Sequence, residues 1–394
     1  MMANSSLNKP YFSDIDPPTR LLMGPGPANV HPRVLRAMSA DVLGQFDPEM
    51  TQYMNETMAL YREVFRTKNK WTFLVNGSAR AGIEAALTSL LEPGARVLIL
   101  RAGRFGLLLS EICERIDAEI HLIDLAWGEV ATLAQIEEAI KAVKPAVFAC
   151  IHGDTSTTTA QPLEGVGALC KKYGVMSYVD ATATLGGMAV ETDGWEIDVV
   201  SSGLQKCMGG PPGSAPITIS DRAADFIFSR RKVELGLKTK DSAAGARPFI
   251  RSNYFDLAMI MQYWSDRRLN HHTEATSMLY ASRECARVAL EEGLEARFAR
   301  HRDCKAEMVR GVEALGLKLY GDAASRMANV TGIYVPAHLD DETVRTRMRD
   351  EHGIEIGTAF GPLAGKIWRI GAMGHNAHLS NVRRVLAALE TCLK

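Results

Sequence analysis

The chain has 394 residues, 46% of them hydrophobic and 23% charged, which suits a soluble globular protein of two or three domains and excludes a collagen, a coiled coil or a disordered tail. Its 45 Lys and Arg nearly cancel 46 Asp and Glu, for a net charge of −1, so a nucleic acid is not an expected partner. No apolar run approaches the roughly 20 residues that span a bilayer, so no membrane partner is expected either. The first 20 residues lack an apolar signal core, and the seven cysteines form no C-x-x-C pair, which together point to reduced thiols in the cytoplasm.

Residues 1–20 are polar and contain proline, and an extended arm is expected there. From Trp71 onward, short apolar runs alternate with helix-period stretches. Buried strands are predicted at 72–75, 97–100, 119–123, 146–151, 175–179, 199–202 and 215–219. Helices are predicted between them at 80–91, 105–115, 133–143 and 163–172, with a further one at 222–232. Such alternation predicts an α/β fold with a mostly parallel sheet covered on both faces, which binds ligands outside the carboxyl ends of its strands. After Ser220 the alternation stops. A mobile loop near the site is expected at 236–251, then a long helix at 273–292 ended by Gly293. The remainder reads as α+β: a helix to about Leu315, strands near 317–320, 330–335 and 367–370, and a closing helix from about Leu379. The expected division is an arm at 1–20, a large ligand-binding domain at 21–290 and a smaller α+β domain at 291–394.

The most informative stretch is Tyr173-Gly-Val-Met-Ser-Tyr-Val-Asp180, followed 26 positions later by Lys206 in Gln205-Lys-Cys-Met-Gly-Gly-Pro-Pro-Gly213. A lysine just past a strand end points its amine into the crevice, where desolvation lowers its pKa and favours the neutral nucleophile. A carboxylate on the neighbouring strand end can pair with a protonated pyridine nitrogen and keep a cofactor ring an electron sink. Asn76-Gly-Ser-Ala-Arg80, between a strand and a helix, can cradle an anion on its amides; alternatively Ser78 caps that helix. Phe105 is either core or a flat surface for a ring. Arg369, a charge inside an apolar strand, either meets an internal acid or awaits a ligand carboxylate.

The order Asp180, then Gln205-Lys206, on an alternating α/β chain resembles the pyridoxal-phosphate aminotransferases of fold type I, and in detail their class V branch. The resemblance runs from about Leu22, in Met-Gly-Pro-Gly-Pro27, to the final helix. It implies pyridoxal 5'-phosphate as cofactor, with Lys206 bonded covalently to it and shuttling the α-proton. Asp180 is implied to hold the pyridinium nitrogen, and Gln205 to lie beside the cofactor. Ser78, Ala79 and Arg80 match the turn that holds the phosphate. Relatives often carry Gly and His at the last two positions, so Arg80 faces either phosphate or substrate. Phe105 matches the stacking aromatic. Thr155, in His152-Gly-Asp-Thr-Ser-Thr-Thr158, matches a residue near the ring oxygen, although Thr158 stands where the family has Gly. Arg369 matches the fork for the substrate α-carboxylate. Thr273 matches a residue that reaches the phosphate of the neighbouring subunit, which implies an obligate homodimer with shared sites.

Two stretches speak to the amino donor: Leu43-Gly-Gln-Phe-Asp-Pro48 and Asn270-His-His-Thr273. Relatives that use alanine or serine usually carry Tyr before His-His-Thr. Gln45 and Asn270 are carboxamides, each with an acceptor and a donor, and a ureido group displays the complementary set. Both stretches resemble the (S)-ureidoglycine–glyoxylate aminotransferases of purine degradation, which implies transfer of an amino group to glyoxylate, giving oxalurate and glycine. Alternatively, Asn270 caps the long helix, Gln45 lies in a surface loop, and the enzyme is an alanine- or serine-glyoxylate aminotransferase. A non-catalytic cofactor-binding protein is disfavoured by the Asp180/Lys206 pair, and a nicotinamide enzyme by the lack of G-x-G-x-x-G. His271-His272 has no third ligand at metal-like spacing, so no metal site is expected.

Overall fold

The computed structural model describes residues 14–238 and 242–394; most of the expected arm, and positions 239–241 of the expected loop, lie outside the described residues. The predicted apolar runs assemble side by side because most of them can bury both faces. They form β1 (Trp71–Gly77), β2 (Arg96–Arg101), β3 (Glu119–Asp124), β4 (Val147–Ile151), β5 (Met176–Asp180), β6 (Val199–Ser201) and β7 (Gly213–Ile219). The order across this sheet is β1-β7-β6-β5-β4-β2-β3. Strands β3, β2, β4, β5 and β6 run parallel to one another, whereas β7 runs antiparallel to both β6 and β1. Apolar patterning reports burial rather than direction, so this reversal was not visible in the sequence.

The helices Ala79–Leu90, Arg104–Arg115, Leu133–Val143, Val166–Lys172 and Asp221–Ser229 form close to where periodicity predicts them. The long helix is Thr276–Glu292, and Gly293 ends it in a backbone of φ 84°. A helix not predicted from the sequence, Pro48–Phe65, packs against it; Asp47 accepts the Glu49 N–H as its cap, Pro48 opens it, and Met50, Met54 and Tyr61 point inward. Within the expected loop at 236–251, the described residues do not line the crevice found below.

A second apolar core gathers Met23 with side chains between Cys304 and Cys392. Here β8 (Val330–Tyr334), β9 (Gly357–Thr358) and β10 (Ile367–Gly371) form an antiparallel sheet of order β8-β10-β9. Helices Leu294–Ala314, Asp341–His352 and Leu379–Cys392 contribute to this core. Met23 joins it because Leu21–Leu22 pairs in parallel with Ile354–Glu355. The strand expected at 317–320 is reduced to one bridge between Leu319 and Ile333. Two backbone bonds remain around it, Tyr320 N–H to the Gly332 carbonyl at 2.9 Å and Tyr334 N–H to the Lys318 carbonyl at 2.8 Å, while the Tyr320 hydroxyl reaches the Trp127 carbonyl at 2.6 Å. Among the described residues no helix is long and apolar enough to cross a membrane.

Candidate active site

The carboxyl ends of β4, β5 and β6 open onto a crevice of about 310 Å³. Of the residues singled out in the sequence, Ser78, Ala79, Arg80, Phe105, Thr155, Asp180, Gln205 and Lys206 all line it. They arrive from five separate segments, brought together because parallel strands end at one edge of the sheet.

The Lys206 amine donates to the Pro25 carbonyl. Gly26 lies against that amine with φ 111°, and a Cβ there would collide with Nζ, so only glycine permits the approach. Desolvation, reinforced by the Arg369 charge, lowers the Lys206 pKa from 10.5 to about 8, which makes the amine a usable nucleophile near neutrality. Asp180 is 4% exposed, and its Oδ1 accepts both the N–H and the hydroxyl of Thr182. Burial nevertheless pushes its pKa up to about 6. Its Oδ2 has no hydrogen-bond partner among the described residues, and a cationic N–H in the crevice would restore the carboxylate.

Ser78 occupies the N-cap position of Ala79–Leu90 but makes no capping bond, so the capping alternative fails and the hydroxyl is free to face the crevice beside the helix amides. Arg80 is exposed and has no carboxylate partner among the described residues. The buried Gln205 Oε1 has no partner either. An open amide cradle with a loose arginine, the ring of Phe105, an orphaned amide oxygen and the free Asp180 Oδ2 share one cavity. The group that fits is flat, with a phosphate at one end and a basic ring nitrogen.

One feature of the site was missed from the sequence. Asp154, buried after β4, accepts the Phe105 N–H at 3.1 Å on Oδ2 and the Ser156 N–H at 2.8 Å on Oδ1. The Ser156 hydroxyl accepts the Arg104 N–H at 2.9 Å. A loop some 50 residues away in sequence thus caps the helix that carries Phe105 and fixes the ring. A carboxylate just past a buried strand was the available signal. Thr158 keeps φ at 56°, the left-handed backbone that glycine would take, and its hydroxyl is buried without a partner.

Arg369, 3% exposed, donates from Nε to the Thr358 carbonyl and from Nη1 to the Thr155 carbonyl, each at 2.7 Å. It is thus not held by an internal acid. Burial lowers its pKa to about 10, opposed by the charge of Asp154. Two of its donors are fixed by backbone, and the rest of the guanidinium is left for a ligand.

Gln45, Asn270 and Thr273 do not line the crevice of their own chain. Gln45 and Thr273 border a separate open depression of about 580 Å³ formed by residues 42–45 and 273–278. Asn270 does not cap the long helix, whose N-cap is Ala275; it bonds Gln45 instead. Nearby, Val42 is 71% and Phe46 73% exposed, and buried Glu274 makes no hydrogen bond through either carboxylate oxygen, facing only His272 Nε2 at 3.6 Å.

Comparison with known proteins gives three concordant findings. The class-V aminotransferase family matches residues 21–368. The chain is 52% identical over 379 residues to the (S)-ureidoglycine–glyoxylate transaminase of Bacillus subtilis, covering 95% of this chain and 91% of that protein. Among solved structures, ureidoglycine–glyoxylate aminotransferase from Bacillus subtilis superposes with a TM-score of 0.91 at 49% identity, covering 97% of this chain and 94% of that one. The alanine–glyoxylate aminotransferase from Nostoc sp. superposes with a TM-score of 0.92 at 35% identity over the whole of both chains.

Proposed function

The chain belongs to the class-V aminotransferase family, and from that premise we propose that it moves the amino group of (S)-ureidoglycine to glyoxylate, giving oxalurate and glycine. It is a pyridoxal-phosphate-dependent transaminase with the fold type I architecture. Backbone shape does not separate the donors, because TM-scores of 0.91 and 0.92 are equivalent. The observation that carries the ureidoglycine reading is the carboxamide pair Gln45–Asn270, supported by the higher identity to the ureidoglycine enzyme. An alanine- or serine-glyoxylate transaminase is the second reading, supported by 35% identity to the Nostoc alanine–glyoxylate enzyme over the whole of both chains.

Pyridoxal 5'-phosphate, when bound, supplies an electrophilic carbon and a protonated ring that withdraws electrons from the substrate α-carbon. Ser78, Ala79 and Arg80 would hold its phosphate at the helix N-terminus, and Phe105 would support the ring. Asp180 would keep the ring nitrogen protonated, and Thr155 and Gln205 would lie beside the ring. Lys206 would hold the cofactor through its amine, and the same Nζ would carry the substrate α-proton. Arg369 binds the carboxylate of donor and acceptor in turn, which positions the α-carbon over the amine.

Gln45, Asn270 and Thr273 belong to this scheme if a second copy brings them to the crevice, so we read the enzyme as a homodimer with shared sites. Exposed Val42 and Phe46 support a covered face there. The seven cysteines are buried free thiols, in keeping with a cytoplasmic enzyme. Two apolar cores support the division into a cofactor-binding part at 21–290 and a smaller part at 291–394 that carries Arg369.

The test is product identification. Incubated with (S)-ureidoglycine and glyoxylate, the holoenzyme should form glycine and oxalurate in equal amounts. Turnover of alanine or serine with no oxalurate from ureidoglycine would select the second reading.

A further inference from the structure

Arg369 does not itself line the crevice but is bonded to the carbonyl of Thr155, which does, and a second cation stands close by. The Arg369 guanidinium carbon stands 4.8 Å from the ring centre of Phe360, and that of Arg104 stands 4.6 Å from the same centre. Arg104 also lies 5.4 Å from the Phe105 ring and lines the crevice. Its guanidinium has no hydrogen-bond or ion-pair partner among the described residues, although most arginines of this chain have one. The nearby acid, Asp154, is occupied by the Phe105 and Ser156 amides. Two like charges on one aromatic ring repel each other, and the Arg104 charge is among the influences that lower the Arg369 pKa. Among the described residues neither guanidinium has a carboxylate within ion-pair distance, although the Asp154 charge acts on Arg369 from farther off.

From this arrangement we propose that the substrate carboxylate is held by two arginines, Arg369 and Arg104, with the ring of Phe360 fixing the spacing between them; this rests on the reading of Arg369 as the carboxylate fork. A carboxylate has two oxygens and can accept from both guanidinium groups at once. Glyoxylate is so small that its carboxylate must supply most of its binding, and a second cation meets that need. Phe360 is the positioning residue. It is 40% exposed, yet its loop is pinned. Gly361 takes φ 52° and lies so close to the Trp127 indole that a Cβ would come within 2.8 Å of Cη2. The next side chain along, Phe360, is thereby held against both arginines.

The experiment compares Arg104→Gln, Arg104→Lys, Phe360→Leu and Phe360→Tyr holoenzymes, with cofactor loading checked by absorbance. Arg104→Gln should raise KM for glyoxylate and for amino-acid donors by about tenfold or more with kcat kept within about twofold, as for loss of a charge-assisted contact. Arg104→Lys should recover part of that loss. Phe360→Leu should raise KM in the same direction, and Phe360→Tyr should retain the wild-type value because it keeps the ring. Oxamate, a carboxylate beside a carbonyl, should bind more weakly to Arg104→Gln by calorimetry. Alaninamide, which lacks the carboxylate, should react equally with wild type and Arg104→Gln. An unchanged glyoxylate KM in Arg104→Gln, alongside a raised one in Arg369→Lys, overturns the second cation and leaves the fork standing. An equal loss for alaninamide and alanine also overturns it, because the effect is then structural. If neither arginine moves KM, the fork reading falls as well.

Discussion

Gln45 and Asn270 lie 225 positions apart in the chain, yet their carboxamides are joined by a hydrogen bond of 3.0 Å, from Gln45 Nε2 to Asn270 Oδ1. Each amide spends one half on the other. What remains is the Gln45 oxygen, an acceptor, beside the Asn270 NH2, a donor, at a spacing the bond itself fixes. A ureido group carries an NH2 and a carbonyl that match this pair.

Lys206→Ala removes the attachment of the cofactor and the proton carrier together, because both are one amine. The protein should fold normally by circular dichroism, and kcat should fall by at least about a thousandfold. Turnover near the wild-type value would remove Lys206 from the chemistry.

Asp180→Asn leaves the Lys206 amine in place but offers the ring nitrogen no charge. Covalent capture of the cofactor should persist, while kcat falls on the order of a hundredfold. Single-turnover rates that match wild type would show that the ring sits elsewhere.

Arg369→Lys cannot keep the geometry by which Nε and Nη1 grip the Thr358 and Thr155 carbonyls. Loss of the planar fork should cost about 2–3 kcal/mol, read as a large rise in KM for both substrates with kcat less affected. Unchanged constants for both would place the carboxylate on other groups.

The Lys206 pKa is lowered first by desolvation and then by the Arg369 charge, to about 8. In the apoprotein the neutral, reactive amine should therefore appear as pH rises through about 8, some two units below an ordinary lysine. Reductive methylation followed by peptide mass analysis gives the midpoint. Arg369→Met removes a cation that disfavours the protonated amine, so the midpoint should move upward. A wild-type midpoint near that of surface lysines would contradict the buried setting.

Much of the fold was legible because buried strands such as β4 and β5 are short, apolar and bounded by turns, and because Asp180 and Lys206 stand at strand ends. What was not legible depends on tertiary contact. The antiparallel course of β7 leaves no mark on hydrophobic pattern, and the segment expected as a strand at 317–320 pairs with β8 only around Leu319. Helix Pro48–Phe65 did carry a readable start in Asp47-Pro48, and inward positions at Met50, Met54 and Tyr61. The coupling of Asp154 to Phe105, and of Arg104 to Phe360, joins residues whose separation hides them from any local window. Gln45 and Asn270 were legible as a chemical pair, but their position outside the crevice of one chain was not.

The measurement that bears most directly on the ureidoglycine assignment is the ratio of kcat/KM for (S)-ureidoglycine to that for alanine, with glyoxylate as acceptor, in wild type, Asn270→Tyr, Gln45→Ala and the double variant. The wild-type ratio should favour ureidoglycine strongly. Each single change should lower it by about 1–3 kcal/mol of lost amide contact, and the double by less than the sum, because the two residues are bonded to each other. A ratio that stays within twofold across all four proteins would contradict the carboxamide account of donor choice.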